Sequence, residues 1–122
     1  MNISGNEVYK HELEFDDKLE LTHKTWKLLH EALLETVENG TGKKCKLPGI
    51  KVAGKTGTAE NPQGKDHGWF VSYAPADNPE IAMAIFVEHG GGGGLSAVPI
   101  GRKIYEAYFN IDNDKEEKVV KQ

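Results

Sequence analysis

The run Pro48-Gly49-Ile50-Lys51-Val52-Ala53-Gly54-Lys55-Thr56-Gly57-Thr58-Ala59-Glu60 constrains this chain more than any other stretch. Ile50 and Val52 are β-branched and stiff, so the run enters as extended backbone. Lys55, Thr56, Gly57 and Thr58 then set an ammonium, two hydroxyls and one bare stretch of main chain side by side. Gly57 lets another molecule approach the backbone closely. This is a strip suited to handling an anion. Such a strand can lay amides and hydroxyls along a substrate; the plainer alternative is a glycine-containing edge strand with a solvated lysine.

Gly49 to Thr56 also spells G-x-x-x-x-G-K-T, the phosphate-binding loop. That loop needs glycines to wrap a phosphate and a helix to follow it. Here the interior is Ile-Lys-Val-Ala, and Ala59-Glu60-Asn61-Pro62-Gln63-Gly64 is turn material. Pro62 would interrupt a helix soon after it began. The nucleotide reading therefore fails on context.

The rest of the chain is read around this strip. At 122 residues, one domain is the default. The formal charge is -4, with 15 Lys and Arg against 19 Asp and Glu, and no basic tract points to nucleic acid. Cys45 is the only cysteine, which excludes an internal disulfide framework and a multi-cysteine zinc site. It reads as an inert small hydrophobe. No apolar run reaches the roughly 18 residues of a spanning helix, so the chain reads as soluble.

Residues 1–21 read as a hairpin or irregular segment, with Val8, Tyr9, Leu13, Phe15, Leu19 and Leu21 loosely alternating. Thr22 caps a helix whose apolar stripe is Trp26, Leu29, Leu33 and Val37, with Leu28, Ala32 and Leu34 alongside. Asn39-Gly40 ends it, as residues that tolerate a left-handed cap. Within it His30 reads as a partly exposed surface residue, and Glu31, Glu35 and Glu38 as solvated.

Beyond the strip, Trp69 to Tyr73 reads as a strand with two occupied faces. Ile81 to Val87, almost continuously apolar, reads as a central strand antiparallel to it. Gly90 to Gly94 is either a flexible turn or a mobile loop at the edge of a site. His67, Glu88 and His89 match no compact metal-binding spacing, and no cofactor is expected. A second helix starts at Ser96, with Pro99 in its opening turn and Ala97, Ile100 and Ile104 on its apolar face. Residues 111–122 read as a charged, disordered tail. The fold class is α+β: an antiparallel sheet of about three strands packed with helices over residues 22–110.

Lys55-Thr56-Gly57-Thr58-Ala59-Glu60, followed by Asp66-His67-Gly68-Trp69-Phe70-Val71-Ser72-Tyr73-Ala74-Pro75, resembles the C-terminal part of a class B penicillin-binding protein transpeptidase domain. Thr25-Trp26-Lys27-Leu28-Leu29, Asn39-Gly40-Thr41-Gly42, the glycine run and Pro99-Ile100 occur in that family's order. The likeness covers roughly Asn6 to Phe109 and is strongest to the elongation-type transpeptidases. It implies a partial fold of the penicillin-binding protein and serine β-lactamase type. It also implies peptidoglycan cross-linking, in which a serine attacks a D-alanyl-D-alanine stem terminus.

By the same resemblance, Lys55 supplies positive charge to the site, and Thr56, Gly57 and Thr58 line the substrate. The two threonines would meet the donor carboxylate, and the Thr58 N–H would be half of an oxyanion hole. Expected partners are a stem peptide or β-lactam and the remainder of the domain, with self-association through uncovered surface. The parent would be membrane-anchored, with its catalytic domain outside the cytoplasm. The family's S-x-x-K is absent: Ser4, Ser72 and Ser96 have Glu7, Pro75 and Pro99 three residues on. Ser4-Gly5-Asn6 fits S-x-N by letter only, lying too close to Lys55 for the family's layout. The alternative is a non-enzymatic peptide- or partner-binding module on the same scaffold.

Overall fold

A computed structural model describes residues 19–111. The elements are α1 (His23–Glu38), a short 3-10 turn (Lys43–Cys45), β1 (Ala53–Ala59), β2 (His67–Ala74), β3 (Ile81–Val87) and α2 (Gly93–Tyr108). The strands form one antiparallel sheet in the order β1-β2-β3. Thr56 faces Phe70, and Phe70 faces Ile85, so the register is continuous across the sheet. The expected hairpin over 1–21 and the tail over 112–122 fall outside the described residues, save 19–21, which carry no regular structure.

Thr22 caps α1: its hydroxyl accepts the Thr25 N–H at 3.2 Å. The helix stops at Asn39, but without a left-handed cap; Asn39 has φ of -133°. Both Asn39 and Gly40 amides turn back onto the Glu35 carbonyl. A Cβ on Gly40 would lie 2.9 Å from the Thr36 carbonyl oxygen, so a close approach rather than an unusual φ calls for glycine there. The polar face is not wholly solvated: Glu38 bridges Lys46 at 2.7 Å and Lys51 at 3.1 Å. Those ammonium groups hold its carboxyl below the usual range.

One face of the sheet is covered by α2. Gly68, Phe70, Ser72 and Ala74 alternate inward along β2, while Trp69 and Val71 face outward and are exposed. Phe70 and Ala74 join Val37, Cys45, Leu47, Val52, Ala97, Val98 and Tyr105 in a single core. In its centre the Ser72 and Tyr105 hydroxyls bond at 2.8 Å, satisfying two polar groups that burial would otherwise penalise. Burial pushes the Tyr105 phenol up to about 12 and the Cys45 thiol to about 12. Cys45 is thus an inert packing residue.

Three further expectations, on the sheet and on α2, need correction. First, β3 is an edge strand among the described residues, and β2 is the central one. The continuous apolar run of β3 suggested burial on both faces, but Ala82, Ala84 and Phe86 are exposed. Second, α2 begins at Gly93, not Ser96, which places Pro99 in its second turn. There the ring removes the donor that would have met the Leu95 carbonyl. Third, α2 buries Ala97, Val98, Gly101 and Tyr105, while Ile100 and Ile104 stay exposed. The reason is Gly101: a Cβ there would sit 2.9 Å from the Phe70 ring, so the helix turns its bare position onto the sheet.

Helix α1 carries the expected stripe, but only Val37 is buried. Trp26, Leu29, His30 and Leu33 instead line an open apolar groove of about 400 Å³ with Tyr73, Pro79 and Ala82. His30 Nδ1 meets the Tyr73 hydroxyl at 2.8 Å across it, which gives this histidine a definite partner.

Candidate functional site

The K-T-G-T strip is the middle of β1, which lies at the sheet's edge among the described residues. Lys55 is exposed, and its ammonium donates to the Thr56 carbonyl at 2.7 Å. In an antiparallel strand the N–H and C=O of one residue point the same way, and the direction alternates along the chain. The Thr56 carbonyl that Lys55 engages therefore points to the same side of the strand as the N–H and C=O of Thr58. Those of Gly57 point to the other side, toward Trp69.

The residues singled out in the sequence are brought together on this edge. Thr56 is half-buried opposite Phe70, and Thr58 is exposed opposite Gly68. Gly57 lies against Trp69, where a Cβ would be 3.3 Å from the Trp69 Cβ. Trp69 in turn packs on Phe86 with ring centroids 4.6 Å apart.

The glycine run closes one end of the strip. Gly91 has φ of +79°, a left-handed conformation that suits glycine. A Cβ on Gly92 would lie 3.6 Å from the Thr58 hydroxyl oxygen. Gly93 is buried where any Cβ would stand 2.1 Å from the Trp69 carbonyl oxygen and 2.6 Å from that of Gly57. The first turn of α2 is thus pressed onto the strip. The run is part loop and part helix, its last two glycines opening α2.

One neighbour lies outside the sequence-derived set. The Thr41 hydroxyl, from the connection after α1, meets the Thr56 hydroxyl at 2.6 Å. Thr41 is fifteen positions before its partner in the chain, and no local pattern in the sequence links the two.

The described serines are occupied structurally. Ser72 is buried against Tyr105, and the Ser96 hydroxyl donates to the Gly92 carbonyl at 3.1 Å. His67 and His89 come close, with ring centroids 4.8 Å apart, and His67 Nδ1 accepts the His89 backbone N–H. Among the described residues, no three His, Cys, Asp or Glu side chains converge as metal ligands.

The penicillin-binding protein transpeptidase domain model matches residues 3–106, which take in α1, the sheet and α2 up to its last two residues. The chain belongs to the penicillin-binding protein transpeptidase family. It is 38% identical over 103 residues to the peptidoglycan D,D-transpeptidase MrdA of Acinetobacter baumannii, covering 72% of this chain and 15% of that protein. The transpeptidase domain of the FtsI4 D,D-transpeptidase from Legionella pneumophila superposes with a TM-score of 0.65 at 31% identity, over 73% of this chain and 37% of that domain. Penicillin-binding protein A of Mycobacterium tuberculosis, solved as an imipenem acyl-enzyme complex, gives 0.61 at 35% identity over 73% of this chain and 20% of that one. The chain spans 15% of the length of MrdA and 20–37% of the two solved chains, and is thus similar to part of each. Among its described residues, no helix is long and apolar enough to cross a membrane.

Proposed function

We propose that this chain forms one wall of the donor-binding cleft of a peptidoglycan D,D-transpeptidase. The observation that carries this reading is the edge of β1, where Thr56 and Thr58 lie on the face of the sheet that meets the start of α2 and the Lys55 ammonium reaches the Thr56 carbonyl. The hydroxyls of Thr56 and Thr58 meet the carboxylate of a D-alanyl-D-alanine terminus, or that of a β-lactam. The outward Thr58 N–H is one of two donors to the oxyanion that develops as the peptide carbonyl is attacked. Lys55 places a positive charge beside both. Gly57 keeps the strip low enough for the substrate backbone to lie against it.

The attacking serine comes from residues outside this chain, because no S-x-x-K occurs among its 122 residues. In the assembled site that serine's oxygen bonds the penultimate D-alanine carbonyl carbon, and the terminal D-alanine leaves. The amine of a second stem then takes the acyl group. The partners of the whole protein are accordingly stem peptides, β-lactams and the rest of the transpeptidase domain, in a membrane-anchored parent facing outward from the cytoplasm.

The chain by itself is a wall without a nucleophile. Incubated with excess benzylpenicillin, it should keep its intact mass. A stoichiometric acyl adduct would overturn this assignment, since it would require an activated hydroxyl within these residues.

A further inference from the structure

The hydroxyl pair Thr41–Thr56 sets a proton-counting problem. A threonine hydroxyl has one proton to donate and two lone pairs, while a carboxylate only accepts. If Thr56 spends its proton on Thr41, it presents lone pairs to an incoming carboxylate, which repel it. If Thr41 donates instead, the Thr56 proton is free to point along the strip. At 2.6 Å the two oxygens share one proton in either arrangement, so the identity of the donor decides whether Thr56 can bind an anion.

The surroundings hold Thr41 in place for this. Its backbone lies in a tight turn fixed by Gly42 N–H to Thr36 O at 2.9 Å and Lys43 N–H to Gly40 O at 3.2 Å. On the other side, a Cβ on Gly94 would come within 2.9 Å of the Thr41 carbonyl oxygen, so the first turn of α2 abuts it. The Lys55 ammonium occupies the neighbouring Thr56 carbonyl. Thr41 is therefore clamped between the end of α1 and the start of α2, with its hydroxyl aimed at Thr56.

We infer that Thr41 is a positioning residue for the carboxylate site: it donates to the Thr56 hydroxyl, fixing that side chain's rotamer and turning its proton toward the ligand. This rests on the carboxylate-binding role proposed above for Thr56. It adds the residue that makes Thr56 a donor.

The test uses the full chain, labelled for NMR, with T41V and T41S. Thr41→Val keeps the shape and removes the donor; Thr41→Ser keeps the hydroxyl. Without ligand, three-bond couplings at Thr56 should report one χ1 rotamer in wild type and T41S, and averaged rotamers in T41V. Titration with N-acetyl-D-alanyl-D-alanine should then show about fivefold weaker binding for T41V, the size of one lost hydrogen bond, and near wild-type binding for T41S. The C-terminal amide of the same dipeptide should show no such difference.

A T41V chain with Thr56 still in one rotamer, or with undiminished affinity for the carboxylate peptide, overturns the inference. If wild type binds neither peptide while T41V still releases Thr56, the positioning contact stands and the carboxylate reading of the site falls.

Discussion

Replacing Gly93 by alanine sets local and tertiary preferences against each other. Gly93 is the first residue of α2, so helix propensity alone predicts that G93A gains up to about 1 kcal/mol. The structure predicts the reverse. The new Cβ would stand 2.1 Å from the Trp69 carbonyl oxygen, 1.3 Å short of the 3.4 Å at which ordinary contact begins. A second backbone oxygen, that of Gly57, is 2.6 Å away. Neither oxygen can move without disturbing the β1–β2 ladder, so α2 must lift off the strip. Overpacking of this kind costs about 1–3 kcal/mol, and immobile backbone places it at the upper end. Offset by the propensity gain, the net loss is about 2 kcal/mol. Urea unfolding followed by tryptophan fluorescence should show the midpoint falling by about 1–2 M for a slope of about 1–2 kcal/mol/M. Gly92→Ala is the control. Its Cβ meets only the Thr58 hydroxyl at 3.6 Å, and an N-cap Gly-to-Ala change costs a few tenths of a kcal/mol to about 1 kcal/mol. A G93A midpoint at or above wild type would refute the claim that α2 is pressed onto the K-T-G-T strand.

Three further outcomes follow from the packing. Burial makes Tyr105 and Cys45 weaker acids, raising both pKa values to about 12 from ordinary values of 10.0 and 9.0. Their contribution to stability is therefore complete below pH 9 and lost as pH rises from 9 toward 12. Tyr105→Phe should cost about 1 kcal/mol at pH 7, by leaving the Ser72 hydroxyl without its partner, and should flatten the loss above pH 10 in a stability–pH profile. Glu38, held below 4.5 by Lys46 and Lys51, contributes above that pH and loses its contribution as pH falls beneath it. Glu38→Gln should lower stability at pH 7 by less than about 1 kcal/mol and remove that acid dependence from the same profile. Finally, among the described residues β3 is an open edge, and Trp69, Val71 and Phe86 are exposed on one face of the sheet. We expect concentration-dependent association in sedimentation experiments, weakened by Phe86→Lys; a monomer that binds no hydrophobic dye would contradict it.

Element types were legible in the sequence because they rest on local physics. Period 3.6 from Trp26 to Val37 made a helix, and alternation from Trp69 to Tyr73 made a strand. The K-T-G-T strip announced itself because its chemistry lies in four consecutive residues. Burial was less legible. Trp26 and Leu29 in α1, and Ile100 and Ile104 in α2, are apolar at helical spacing yet exposed, since periodicity identifies a stripe but not what covers it. In α2 the direction of burial is set by Gly101 beneath Phe70, a contact between residues thirty-one positions apart.

The sequence by itself thus determined the element types, their antiparallel pairing, the family and the absence of S-x-x-K, all properties of residue type and spacing along one dimension. Only the tertiary structure decided that β3 is an edge, that two glycines of the run belong to a helix, and that Thr41 reaches Thr56. Each of these depends on backbones or side chains approaching within about 3 Å across the fold, where a single Cβ or hydroxyl changes the outcome.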